Sequence, residues 1–199
     1  MARGVFIAIE GIDGSGTTTH TKRLAEWVTL QNLPVLSTHE PTDSEIGRLI
    51  RRILRDKTIP PATDALLFAA DRVKHTQRQI NPALNKGFVV ISDRYVESSI
   101  AYQSSSGLPL DWVATINHFA ISPDLTILLD LPPSTGLGRK RKQGFREKFE
   151  YVAFLKKVRQ VFLNRAQEKN FTIIEAGIPI REVQEKIRAV VEPLLRSLK

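Results

Sequence analysis

Residues Gly11 to Thr18 read Gly-Ile-Asp-Gly-Ser-Gly-Thr-Thr, the spacing of the phosphate-binding P-loop G-x-x-x-x-G-K-S/T with Thr17 in the lysine position. Gly14 and Gly16 let backbone N–H groups approach a polyphosphate closely, and the helix that follows adds the partial positive charge of its N-terminus. The Thr18 hydroxyl is placed to bind Mg²⁺. None of these contributions needs a lysine, yet a neutral residue at position 17 removes a point charge that normally bridges the β- and γ-phosphates. Further along, chemistry-bearing residues recur at Glu40-Pro41-Thr42, at Asp93-Arg94-Tyr95, and at Ser98, Ser99, Tyr102 and Gln103. An aspartate ending a buried strand opposite a P-loop suits a supporting role towards Mg²⁺, and the adjacent arginine can hold a phosphate bidentately.

Such groups need a scaffold that brings them together. Apolar, β-rich runs at 5–9, 35–37, 88–91, 125–129 and 171–174 alternate with helical patterns. That alternation predicts an α/β fold with a five-stranded parallel sheet and helices on both faces. In open sheets of this kind ligands collect at the carboxyl ends of the strands, where each of the polar groups above falls. After Asp43, the residues Ile46, Leu49, Ile50, Ile53 and Leu54 form one apolar stripe, with Arg48, Arg51, Arg52 and Arg55 on the rest and Asp43 or Ser44 as N-cap. Ile59-Pro60-Pro61 breaks that helix before another that runs from about Thr63 towards Pro82. No repeat, linker or composition shift divides the chain, so one domain over residues 1–199 is expected.

Composition narrows the function classes. With 199 residues at 42% hydrophobic the chain can bury one sizeable core. It holds no apolar stretch of about 18 residues to cross a membrane, and its first residues lack the apolar region of a signal peptide, so a soluble, cytoplasmic protein without a membrane partner is expected. The absence of cysteine excludes disulfides, thiolate metal sites and a cysteine nucleophile, and His20, His39, His75 and His118 are not at metal-ligand spacings. A net charge of +8 suits polyanionic substrates; no nucleic-acid motif accompanies it, and no nucleic-acid partner is expected. The lack of cysteine and the single methionine fit a thermophilic source.

Taken together, the motifs resemble the thymidylate (dTMP) kinases among the P-loop nucleoside monophosphate kinases. The resemblance spans nearly the whole chain and rests on residues 10–16, on Leu67-Phe68-Ala69-Ala70-Asp71-Arg72, on Asp93-Arg94-Tyr95 with Ser98-Ser99-Ile100-Ala101-Tyr102-Gln103, and on Pro123-Asp124-Leu125-Thr126. It implies strand order 2-3-1-4-5, a homodimer, and transfer of the γ-phosphate of ATP to dTMP with Mg²⁺, giving dTDP and ADP. Gly11, Ile12, Asp13, Gly14, Ser15, Gly16, Thr17 and Thr18 would hold the donor, and Thr18 and Asp93 the metal. By position, Phe68 stacks on thymine, Arg72 reaches the base or the monophosphate, Arg94 holds the acceptor phosphate, Asp13 bonds the sugar 3′-hydroxyl, Ser99 faces the pyrimidine edge, Tyr102 crowds C2′, and Gln103 belongs to the substrate-binding set. Residues four apart share a helix face, which independently places Phe68 and Arg72 together.

An anionic acceptor needs no general base, so alignment and charge neutralisation carry such a reaction. The basic run Arg139-Lys140-Arg141-Lys142 through Lys148 stands where the family has its mobile lid, here about residues 136–150. The family's usual Asp-Arg is replaced by Glu147-Lys148, leaving Arg139, Arg146 and Lys148 as candidate catalytic cations beside Asp93 and Arg94. Thr17 is the larger departure. Three accounts compete: lid arginines or Lys22 replace the missing charge, with the lid ranked first; the enzyme is slow but sufficient when hot; or the chain binds nucleotides without turnover. A kinase for another nucleoside or nucleotide is a further alternative.

Overall fold

The computed structural model describes residues 3–54, 56, 58–139, 145–196 and 198, with the side chains of 137–150 outside the description. Five strands, β1 (Val5–Gly11), β2 (Val35–His39), β3 (Val89–Asp93), β4 (Leu125–Asp130) and β5 (Thr172–Glu175), pair in parallel in the order β2-β3-β1-β4-β5. The α/β class and the strand order are those expected. Helices α1 (Thr17–Leu30), α2 (Glu45–Ile53), α3 (Pro61–His75), α4 (Asn81–Asn85), α5 (Val96–Ser105), α6 (Leu110–Ile116), α7 (Pro133–Arg139), α8 (Phe145–Lys169) and α9 (Ile180–Arg196) make the crossovers.

Central β1 and β3 are buried at every residue, whereas edge strands β2 and β5 are only partly so. The alternating side chains of β1 divide the core. Val5, Ile7 and Ile9 pack with α1, α8 and α9 through Leu24, Val28, Phe162 and Ile187, and Phe6 and Ala8 pack with Ile80, Leu84 and Tyr95 on the other face. Each buried leucine, isoleucine or phenylalanine in these layers contributes about 1.5–3 kcal/mol of transfer free energy, enough to fix the carboxyl ends of β1 and β3 side by side.

Two local details position the site. Ser44 caps α2, its hydroxyl accepting from the Gly47 N–H at 3.1 Å. Of the expected stripe on α2, Ile50 is fully buried, but Leu54, past the helix end, is 54% exposed and lines a cavity described below. The helix expected towards Pro82 starts at Pro61, and its pitch widens to a π-turn at Thr76–Ile80 before α4. Among the described residues, no helix is long and apolar enough to cross a membrane.

Candidate active site

The P-loop turns off the end of β1. The Ser15 N–H donates to the Ile12 carbonyl at 3.1 Å, and Gly14 and Gly16 take left-handed φ values of 86° and 94°. A Cβ on Gly14 would stand 2.6 Å from the Gly136 carbonyl oxygen, so the loop lies directly against α7. The Ile12 side chain belongs to the core, leaving only its backbone to the loop. Thr17 is buried in the first turn of α1, while Thr18 is exposed and donates to Asp93 Oδ2 at 2.5 Å. Among the described residues the other oxygen of Asp93, Oδ1, is buried without a hydrogen-bond partner, as is Ser15 Oγ. An orphaned carboxylate oxygen beside a hydroxyl with lone pairs to spare fits Mg²⁺ and its water shell next to the phosphates of ATP.

Asp13, at the loop's crest, ties the P-loop to a cavity of about 520 Å³ that Phe68, Arg72, Arg94, Ser99, Tyr102 and Gln103 also line. Arg94 follows β3 at φ 68°, an uncommon conformation for a residue with a Cβ. From there its guanidinium donates to the Gly11 carbonyl at 2.9 Å, Ser98 Oγ at 3.2 Å and Asp13 Oδ1 at 2.8 Å. Burial alone would lower the Arg94 pKa, but Tyr102, Asp13, Asp93 and Glu10 around it outweigh that and raise it. The Tyr102 hydroxyl accepts the Asp13 N–H at 2.9 Å, and Tyr151, from α8, donates to Asp13 Oδ2 at 2.5 Å. Burial pushes Tyr102 up to about 12 and raises Tyr151 as well, so both remain phenols and donors.

Arg72 is held by a buried network rather than by solvent. Its Nε–H donates to Glu40 Oε2 at 2.8 Å, one Nη1–H donates to Asn117 Oδ1, and its Nη2 group donates to the Tyr95 carbonyl at 3.1 Å and Ser99 Oγ at 2.9 Å. Nη2 also stands 2.7 Å from Glu40 Oε2, and among the described residues the second Nη1–H has no acceptor. Glu40 Oε1 accepts from His75 Nδ1 at 2.9 Å, and the Thr38 hydroxyl meets His75 Nε2 at 2.7 Å. Ser99 Oγ, an acceptor towards Arg72, keeps its own hydrogen, and among the described residues the buried Gln103 Oε1 has no partner. Arg72, Ser99 and Gln103 all line the cavity, so polar groups of both kinds border it.

Glu10, next to Gly11, is buried at the end of β1, accepting the Tyr95 N–H at 2.9 Å and the Ser98 hydroxyl at 2.5 Å. Burial raises its pKa to about 7 despite those bonds and the nearby Arg94. A family model described as thymidylate kinase matches residues 9–187. The chain belongs to the thymidylate kinase family. A probable thymidylate kinase of Pyrobaculum calidifontis is 45% identical over 197 residues, covering 98% of this chain and 100% of the relative. One of Pyrococcus abyssi is 47% identical over 204 residues, with 98% and 100% covered, and one of Caldivirga maquilingensis is 40% identical over 191 residues, with 94% and 93% covered.

Of the residues expected in a thymidylate kinase site, Asp13, Phe68, Arg72, Arg94, Ser99, Tyr102 and Gln103 share one cavity, and Thr18 meets Asp93. Arg139, Arg146 and Lys148, and the lid expected at 136–150, rest on side chains outside the described residues. Sequence reasoning missed Tyr151, Glu10, His75 and Asn117 as supports of the site. Glu10 carried a usable signal, a carboxylate inside an otherwise apolar strand; Tyr151 and Asn117 carried none, because only the fold brings them near Asp13 and Arg72.

Proposed function

We propose that the chain transfers the γ-phosphate of ATP to dTMP, with dTMP in the cavity between α3 and α5 and the polyphosphate of ATP on the P-loop. The observation that carries this reading is the cavity lining: the buried polar residues Arg72, Ser99 and Gln103 border the same cavity as the half-buried Phe68. A thymine edge offers an oxygen at C4 and an N–H at N3, which complements donors from Arg72 and Ser99 and the acceptor of Gln103. Cytosine would turn an amino group towards Arg72 and a lone pair towards Gln103, leaving buried groups unpaired. Phe68 supplies the ring for stacking.

Arg94 has N–H groups beyond those used on protein and faces the cavity beside Asp13, so it holds the acceptor phosphate while Asp13 receives the sugar 3′-hydroxyl. Tyr102, bonded to the Asp13 N–H, stands where a 2′-hydroxyl would need room. Both phosphates are thereby fixed on one side and the other of the Asp13 crest, and transfer proceeds by alignment without a general base. Mg²⁺, held through Thr18 and Asp93, supplies charge neutralisation on the β- and γ-phosphates when bound. The lid cations Arg139, Arg146 and Lys148 add charge on closure. We place the chain in the cytoplasm and infer a homodimer, for which the exposed Leu66, Leu110 and Phe119 provide apolar surface. Phosphorus NMR of ATP·Mg²⁺ with dTMP tests the reaction: dTDP and ADP in equal amounts support it, and ADP formed without dTDP overturns it.

A further inference from the structure

A second cavity, of about 800 Å³, lies outside the acceptor site in the groove between α1 and α9. Thr18 and Thr19 of the P-loop helix line one part of it, and Lys22, Arg23, Arg181 and Arg188 bring four cations to it. Two of the four are engaged: Arg181 pairs with Glu185 at 2.9 Å, and the Arg188 guanidinium lies over the Trp27 ring, 5.7 Å from its centroid. Among the described residues Lys22 makes no ion pair, although Glu26 follows it by one turn and lines the same groove.

Lys22 stands four residues after Thr18 on the same helix face, where side chains lean towards the helix N-terminus. A lysine stem spans about one helical turn, roughly 5–6 Å, so leaning back from position 22 brings its ammonium level with Thr18 and the first N–H groups of α1. The residue that should carry that charge, position 17, is a buried threonine. We propose that Lys22, reaching along the α1–α9 groove, places on the donor polyphosphate the positive charge that Thr17 does not provide. The inference rests on the kinase reading and gives Lys22 precedence over the lid for the charge held on the ground-state donor.

The test compares Lys22→Met and Lys22→Arg in the native chain and in a Thr17→Lys background, reading binding of ADP and of adenosine by calorimetry and kcat/KM for ATP with dTMP. Lys22→Met is expected to weaken ADP binding and lower kcat/KM at least tenfold in the native chain, to leave adenosine binding within twofold, and to cost less than threefold once Thr17→Lys is present. Lys22→Arg retains ADP binding within threefold. An unchanged ADP affinity in Lys22→Met, an equal loss for adenosine, or an equal loss in both backgrounds overturns the proposal. Should Thr17→Lys fail to fold, as judged by its thermal melt, the comparison of ADP with adenosine decides alone. Absence of dTMP phosphorylation in the native chain would refute the kinase reading instead, because the ADP titration still reads Lys22.

Discussion

Glu40 is the most exacting test of how the acceptor site is held. It is 6% exposed and accepts Arg72 through one oxygen and His75 through the other, at 2.8 and 2.9 Å. Glu40→Gln preserves shape but keeps only one carbonyl oxygen, so an amide N–H must face either the arginine or the histidine N–H. A buried, unpaired donor costs about 1–3 kcal/mol, and removing one partner of a buried ion pair costs about 3–5 kcal/mol in all. At about 2–4 °C per kcal/mol for a chain of this size, the melting temperature should fall by roughly 6–20 °C. Urea unfolding gives the free energy directly, and the same variant should raise KM for dTMP about tenfold, because Arg72 loses the contact that fixes its plane. ATP affinity should not change, since among the described residues the Glu40 side chain bonds Arg72 and His75 rather than the P-loop. A loss below about 1 kcal/mol, with KM for dTMP unchanged, would refute the view that Glu40 orients Arg72.

Other perturbations probe neighbouring contacts. Glu10 binds its proton more tightly folded, at about 7, than unfolded, at 4.5, so it makes stability fall as pH rises across that interval and then level off, by about 3 kcal/mol in all. Glu10→Gln should remove this slope, measured by urea unfolding between pH 5 and about 8; an unchanged difference curve contradicts it. Gly14→Ala meets both a φ of 86° and a contact of 2.6 Å with the Gly136 carbonyl, and should weaken ATP binding at least tenfold, roughly 1.4 kcal/mol, in a calorimetric titration. Arg72→Met should lower dTMP affinity more than dCMP affinity, read by competition, whereas equal losses would show that Arg72 does not read the base.

Strand positions were legible because β1, β3 and β4 run apolar through their buried stretches, residues 5–9, 89–91 and 127–129, with the polar Glu10, Ser92, Asp93 and Asp130 at the carboxyl ends. The edge strands were under-read: Thr38 and His39 of β2 are polar because one side meets no further strand, yet they pair with Ser92 and Asp93. The P-loop was legible from spacing within a single element, and spacing also put Phe68 and Arg72 on one helix face, but their place in the site came from the family resemblance. What spacing could not carry is the network across elements, in which Asn117 from beyond α6, Tyr95 and Ser99 from α5 and its entry, and Glu40 from the end of β2 all meet one guanidinium. Leu54 misled for a related reason. It continues the apolar period of α2, but the helix has ended, and the cavity rather than the core receives it.

The central claim is that this site phosphorylates dTMP and reads its base through Arg72, Ser99 and Gln103. It is tested most directly by kcat/KM for dTMP, dUMP, dCMP and dGMP with saturating ATP·Mg²⁺. The account predicts dTMP first, dUMP behind it by the contribution of one methyl group, about tenfold or more, and dCMP and dGMP lower by about 10⁴. Comparable turnover of dCMP and dTMP, or none with dTMP, would contradict it.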